Sequence, residues 1–577
     1  MSAVCSDTAS SRRRAYRVAI GIALVLAVLS MGAGLFTDDY LHFATLEGAE
    51  TPGSALDLYN FGDGNPENMA DFRAIGPHPW FVFPEFKLHF FRPLSCLTMW
   101  ADHAVFGHWI SGYHLHSGLW YVALTVVLML LFRRVLPGGI GALALLLYVL
   151  DEGHVVPVGW WANRNALVAT VFALLGLLAH LRWREDGWRP GLWWSLPCYA
   201  LGFLGGETAL GVMAYLGAYE LLAAPGRFTK RVAALLPAVG LSVVYLAAYG
   251  AAGYGTFGSQ EYINPLSEWR TFLGVFPERM LLMVGNLVLG IPPEAHLPGP
   301  AWVPGAIGVV LMAGVFGLIG RSLPEHERRA LRWLIVGACI AGIPTLSASP
   351  SARVYILPSI GSAAALAIVL RHGWRLARTW RNAAWKLLTG YLITIHLVLS
   401  ALVWPGAIVF SSVVTARMSD SIHAFAKQTQ LAGKHLLAMS SNDPMYTIYV
   451  PFMLIYHGYE RPAAWWCATQ SSYRKSVTRR AVDTLEVELL DRSLLSKGFE
   501  AVMRRRDLKL RQDEQVDCGD LRVRVLETDE NGVRRFEMRV AGSLDDKRYG
   551  MVLWDAEAEH FVSSPMPAVG ETISQRK

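Results

Sequence analysis

Two adjacent carboxylates, Asp38 and Asp39, stand in the stretch FTDDYLH (36–42), directly after the first hydrophobic run of the chain. A carboxylate at a bilayer edge can take a proton from an acceptor hydroxyl while the lipid holds a second substrate beside it. A second account fits the same residues. Thr37 caps a helix, and Asp38 and Asp39 fill its first turn, where free N–H groups and the helix dipole favour negative charge. Capping and proton transfer are compatible, so both accounts stay open.

Further reactive side chains collect where apolar runs end. Residues 91–121 carry Arg92, Asp102, His103, His108, His114 and His116. His114 and His116 are two apart and face different sides of a helix, whereas a zinc pair on a helix wants three- or four-residue spacing. The alternative is interfacial anchoring, with apolar bodies in lipid and polar tips in water. The stretch DEGHVVPVGWWANRNAL (151–167) places Asp151, Glu152, His154 and Arg164 around Trp160 and Trp161, and Glu207 stands at a later turn. Arg353 is the only basic residue of its short loop, SASPSARVYILPSIG. A guanidinium there suits a lipid-linked phosphate, because its planar fork binds phosphate oxygens in pairs; the alternative is an ion pair inside the bundle, with Glu207 as partner. The six cysteines form no CxxC pair, so thiolate metal binding is not expected. Cys467 and Cys518 suit a disulfide if their region lies outside the cytoplasm. No cofactor is expected, and nothing in these spacings supports a divalent metal.

The elements that position these residues follow from composition. Hydrophobic residues make up 53% of the chain and charged ones 17%, against about 25% charged in soluble proteins, and mean hydropathy is +0.31. This is the composition of an integral membrane protein. The net charge of +6 is spread over short loops, which reads as topology and excludes nucleic acid as a partner. Arg12, Arg13, Arg14 and Arg17 precede the run 19–35, a retained first span with its N-terminus in the cytoplasm. An outer loop, 36–112, follows, with short helices expected on the membrane surface. Basic clusters at Arg133 and Arg134, at Arg182 to Arg189, at Arg227 to Arg231 and at Arg321 to Arg332 then alternate along the chain. One threading makes them all cytoplasmic and gives about 11 spans by the length rule. In it, 271–290 is re-entrant or interfacial, since it carries Pro277, Glu278 and Arg279 and a crossing would put the Arg321 to Arg332 loop outside. Beyond 412 the charges rise and LRVRVLE (521–527), FEMRV (536–540) and GMVLWD (550–555) read as strands. The expected organisation is a transmembrane domain over 1–411, including the outer loop, and a small soluble α/β domain over 412–577 on the extracytoplasmic side.

The stretches FTDDY, FRPLSCLTMWADHAVFGHWISGYHLHSGLWY, GHVVPVGWWANRNALVAT, GGETALGVMAYLGAYELL and SARVYILPS occur in that order over residues 15–370. Together they resemble the signatures of GT-C fold membrane glycosyltransferases, above all the transmembrane and tetratricopeptide-repeat O-mannosyltransferases and their bacterial relatives. The resemblance implies transfer of a sugar from a polyprenyl-phosphate-linked donor to an acceptor at the extracytoplasmic face. It aligns Asp38 and Asp39 with the family's acidic pair, where the catalytic carboxylate lies. Arg92 and His114 match the RPL and YHL positions, and Trp160 and Arg164 match a W…R signature. Glu207 matches the acid of its turn, and Arg353 and Tyr355 match the arginine and tyrosine before PS. Two departures stand out: Val156 occupies the place of an acid four residues before the tryptophan, with Asp151 and Glu152 upstream, and the tetratricopeptide repeats are replaced by the tail from 412.

The sequence therefore reads as a multi-pass protein of a bacterial inner membrane that moves a sugar, with inversion, from a polyprenyl phosphate to a hydroxyl of a protein or glycan. Asp38, or Asp39 in its place, is the expected base. Arg353, with Arg164 and Tyr355, is expected to bind the donor phosphate, and Arg92, His114, His154, Trp160 and Glu207 complete the set. The rival is a non-catalytic scaffold or assembly factor with a degenerate GT-C fold. A transporter fits less well, because the candidate charges gather at the outer edge and no repeated halves are visible.

Overall fold

The first apolar run folds as a 22-residue helix, Ala9–Ser30. It starts ten residues before the run 19–35, because arginine is a good helix former and carries the helix through Arg12 to Arg17. The computed structural model describes residues 9–295, 298–377, 382–439, 443–496 and 499–575, and the chain divides into two compact units.

Unit 1 comprises Met1–Gly34, Phe91–Ala252 and Pro265–Ser412 and is helical. Among the described residues five helices are long and apolar enough to cross a membrane: Ile110–Val135, Trp161–Asp186, Phe228–Ala251, Trp269–Leu289 and Ala383–Gln428. Gly138–Leu150 with Glu152–Gly159, bent by 50° at Asp151, makes a sixth if the pair is one span. These helices mark a multi-pass membrane protein. The count of about 11 spans is not reached by this measure. Pro190–Gly205 has 16 residues, Leu210–Leu222 has 13 and Val303–Ile319 has 17, against the roughly 20 that cross 30 Å of hydrocarbon. The segment read as re-entrant is one of the five, a continuous helix through Pro277.

Small residues let these helices approach closely. A Cβ on Gly202 would come 3.1 Å from the Ala173 nitrogen, and one on Gly205 would come 2.9 Å from the Ala169 nitrogen. The helices Asn165–Asp186 and Pro190–Gly205 therefore meet backbone to backbone, the packing that replaces hydrophobic driving force between helices in lipid.

Unit 2 comprises Leu35–Phe90, Gly253–Asn264 and Val413–Lys577. The first outer loop thus divides at Phe90: its first part packs with the C-terminal region, while the sequence reading kept 36–112 with the transmembrane helices. A six-stranded antiparallel sheet runs in the order Thr572–Gln575, Lys475–Ala481, Thr484–Leu489, Gly532–Val540, Leu521–Asp529, Gln515–Cys518. Leu521, Val523 and Val525 point into its core while Arg522 faces out, the period-2 pattern seen in LRVRVLE. A four-stranded sheet, His560–Ser564, Tyr549–Asp555, His435–Ala438, Ala464–Cys467, mixes one antiparallel and two parallel pairings. Three short strands, Asn60–Asp63, Lys87–His89 and Gly255–Phe257, form a third sheet.

Specific bonds sew the outer-loop segment into this unit. Trp80 Nε1 donates to the Ala468 carbonyl at 3.1 Å, Trp466 Nε1 to Ala74 at 2.9 Å and Arg504 Nε to Phe81 at 2.7 Å. Gly76 ends the helix Pro66–Ile75 at φ 101°, and a Cβ there would lie 2.0 Å from the Trp465 carbonyl oxygen. Only glycine tolerates both conditions. Cys467 and Cys518 are separate buried thiols, so the disulfide allowed by the sequence is not formed.

Candidate functional site

In unit 2 the acidic pair opens the helix Asp38–Leu46. Thr37 holds the N-cap position at φ 40°, ψ −103°, with no cap bond from its side chain. A positive φ on a β-branched residue costs on the order of 1–3 kcal/mol and persists only where surrounding contacts fix it. A contact across the turn comes from Asp39, whose Oδ2 accepts the Phe36 N–H at 2.9 Å. Asp39 is 0% exposed, and Asp38 is half-buried. Asp38 Oδ1 accepts from the hydroxyl of Tyr449, on the helix Pro444–Tyr456. The two carboxylates thus act differently, Asp39 tying down the turn and Asp38 keeping a partly open face. They diverge because neighbours on a helix lie about 100° apart.

Tyr449 is the residue that sequence reasoning missed. It lies in TIYVPFMLIY, which reads as an apolar helix and carries no sign of a partner 411 residues away. Burial, and then the Asp38 carboxylate, raise its phenol well above the ordinary tyrosine range, so it stays a proton donor at any working pH.

In unit 1 the expected residues fall into two groups. Arg92 and Glu207 come together, with Nε 2.8 Å from Oε2, and Tyr249 donates to the other carboxylate oxygen at 3.1 Å. The ion pair considered between Arg353 and Glu207 is therefore not the one formed. Arg353 lies in the short turn Ala352–Tyr355 and places its guanidinium carbon 5.1 Å from the ring centre of Trp160. Both side chains are half-buried, and among the described residues no carboxylate pairs with Arg353. A cation on an aromatic face with its N–H edges uncommitted is suited to an anionic ligand.

The second group is interior. Arg164 is 0% exposed and pairs with Asp102, itself 1% exposed. It also donates to Ser117 Oγ at 2.9 Å and to the Tyr113 carbonyl at 2.6 Å. Asp102 further accepts from Trp161 Nε1 at 2.9 Å and bonds His116 Nδ1 at 2.5 Å. These contacts hold Arg164 within the helical core. His154 is buried against the Tyr148 carbonyl (2.9 Å) and Ser359 Oγ (3.2 Å), and His114 is 0% exposed in the first turns of Ile110–Val135. Tyr355 is 2% exposed and packs on Met283 and Leu287. Asp151 and Glu152 line a small cavity with Asn286, Ser362 and His396, and Glu152 accepts from Ser400 Oγ at 2.7 Å.

No family model and no curated protein matches the chain. Eighteen chains of solved structures do. One is the archaeal oligosaccharyltransferase AglB from Archaeoglobus fulgidus in complex with an inhibitory peptide and a dolichol-phosphate, at 12% identity and a TM-score of 0.40, covering 78% of this chain. This chain spans 64% of the length of AglB. ArnT from Cupriavidus metallidurans bound to undecaprenyl phosphate is similar at 14% identity and a TM-score of 0.38, over 76% of this chain and 84% of ArnT. Its apo state matches at 13% identity and a TM-score of 0.39, over 77% and 84% of the two chains.

Proposed function

We propose that the chain is a membrane glycosyltransferase that takes a sugar from a polyprenyl-phosphate-linked donor and passes it, with inversion, to a hydroxyl of a protein or glycan acceptor at the extracytoplasmic face. The observation that carries this reading is Arg353, a guanidinium held on Trp160 without a carboxylate partner among the described residues. Such a group can bind a phosphate through two N–H bonds and stabilise the charge that develops as it leaves. Asp38 takes the other role. Its half-buried carboxylate is suited to accept the proton of the acceptor hydroxyl. Arg92 and Glu207, tied to each other and to Tyr249, hold the turn at 207 in place.

The test is sugar transfer from a polyprenyl-phosphate-linked donor by the full chain reconstituted in vesicles, with donor binding measured in parallel. Binding and turnover lost separately, in Arg353→Ala and Asp38→Asn, support the reading. A chain that binds donor equally well with and without the Arg353 guanidinium, and turns over none, fits the scaffold reading instead.

A further inference from the structure

The C-terminal segment from 412 supplies a side chain bonded to Asp38. Tyr449 is 8% exposed, and its hydroxyl donates to Asp38 Oδ1. Its helix, Pro444–Tyr456, packs on Asp38–Leu46 through Tyr456, whose ring meets Tyr40 edge-on at 5.5 Å and Phe43 at 5.0 Å. The helix is also pinned at its proline. Pro451 has no N–H to give to the Thr447 carbonyl, and Trp465 Nε1 donates to that carbonyl at 3.0 Å in its place. The hydroxyl therefore comes from a fixed helix, not from a loose loop.

We infer that Tyr449 is a positioning residue for the proton transfer at Asp38, and that the C-terminal segment is in this way part of the reaction centre of unit 2. The inference rests on the reading of Asp38 as the base. The bond donated by Tyr449 restrains the rotamer of the carboxylate and so the direction in which it meets a hydroxyl. The same bond favours the ionised form and so holds the base ready at neutral pH. Asp39 and Tyr262 also face Tyr449, and Asp39 faces Tyr40.

The experiment compares Tyr449→Phe, Asp38→Asn and the unchanged full chain in vesicles, reading kcat, donor KM and the pH profile of kcat/KM. Tyr449→Phe is expected to lower kcat roughly ten- to a hundredfold, the range set by one hydrogen bond to a charged group, with donor KM unchanged. The acid limb should move to higher pH, because the carboxylate loses a bond that favoured its charged form. Replacing Tyr449 with a ring-fluorinated tyrosine, which keeps the bond and strengthens the donor, should move that limb to lower pH; this variant serves if Tyr449→Phe does not fold. If Asp38→Asn abolishes transfer while Tyr449→Phe keeps the original rate and profile, the positioning role is overturned and the base survives. If Asp38→Asn retains transfer, the base reading falls and the positioning role with it.

Discussion

Arg353 and Trp160, 193 positions apart in the chain, lie in cation–π contact, the guanidinium carbon 5.1 Å from the indole centre. The indole holds the cation without using its N–H groups, which is what a carboxylate partner would not do. Arg353→Ala is expected to weaken binding of a polyprenyl phosphate about 10- to 100-fold, the worth of charge-assisted bonds, with little change in thermal stability. Arg353→Lys should recover only part of it, since an ammonium is a point charge. Trp160→Leu should cost several-fold through the lost cation–π contact. Isothermal titration with the lipid phosphate in detergent checks all three, and equal affinity across them removes Arg353 from the site.

Arg164 is expected to behave in the opposite way. Its pair with Asp102 is buried on both sides, and removing one partner strands the other charge, at a cost of about 3–5 kcal/mol. Arg164→Met should lower the unfolding temperature sharply, and Asp102→Asn should do the same. Pairing Arg164→Met with Asp102→Leu should recover much of the loss. Unchanged stability with weakened donor binding in Arg164→Met would return this arginine to the phosphate.

The contrast between these two arginines shows how far the sequence could be read. Composition and apolar length gave a multi-pass helical protein, and the alternation in LRVRVLE gave a strand that the structure contains. The neighbourhood of each charge was not legible in the same way. Arg92 and Glu207 are 115 positions apart, and nothing local announces that Glu207 meets Arg92 and not Arg353. Period and propensity act over a few residues, while the partner of a buried charge is set by tertiary packing. The contacts of the outer loop were hidden for the same reason: Trp80 and Gly76 declare their role only through Ala468 and Trp465.

Residues 67 and 557 offer a test of unit 2 and of its side of the membrane. Both are exposed and both belong to unit 2. Glu67→Cys and Glu557→Cys should therefore label from one and the same side. From the Arg12 to Arg17 cluster and the positive-inside bias, the outer side is the expected one. Opposite labelling would mean that Leu35–Phe90 and Val413–Lys577 do not fold together. Labelling of both from the cytoplasm would show an odd number of the proposed crossings to be miscounted, with Trp269–Leu289 the first to re-examine.

Asp38 and Asp39 can be separated by what each loses on substitution. Asp38→Asn keeps the shape and an acceptor for Tyr449 but removes the charge that takes a proton. It is expected to lower transfer by about 10²- to 10⁴-fold, which is about 3 to 5 kcal/mol of barrier, with the unfolding temperature nearly unchanged. Asp39→Ala removes the acceptor of the Phe36 N–H and frees Thr37 from the contact that holds its positive φ. An unpaired buried donor costs about 1–3 kcal/mol, so this variant should be less stable, and its rate should fall because the turn that carries Asp38 loosens. Asp39→Asn retains an amide oxygen for that N–H and should recover most of the stability together with most of the rate. The three variants, assayed for transfer and for thermal unfolding in one preparation, give a pattern that simple capping does not produce. If Asp38→Asn transfers sugar within several-fold of the unchanged chain, both acids serve only the helix end, and the enzymatic reading loses its base.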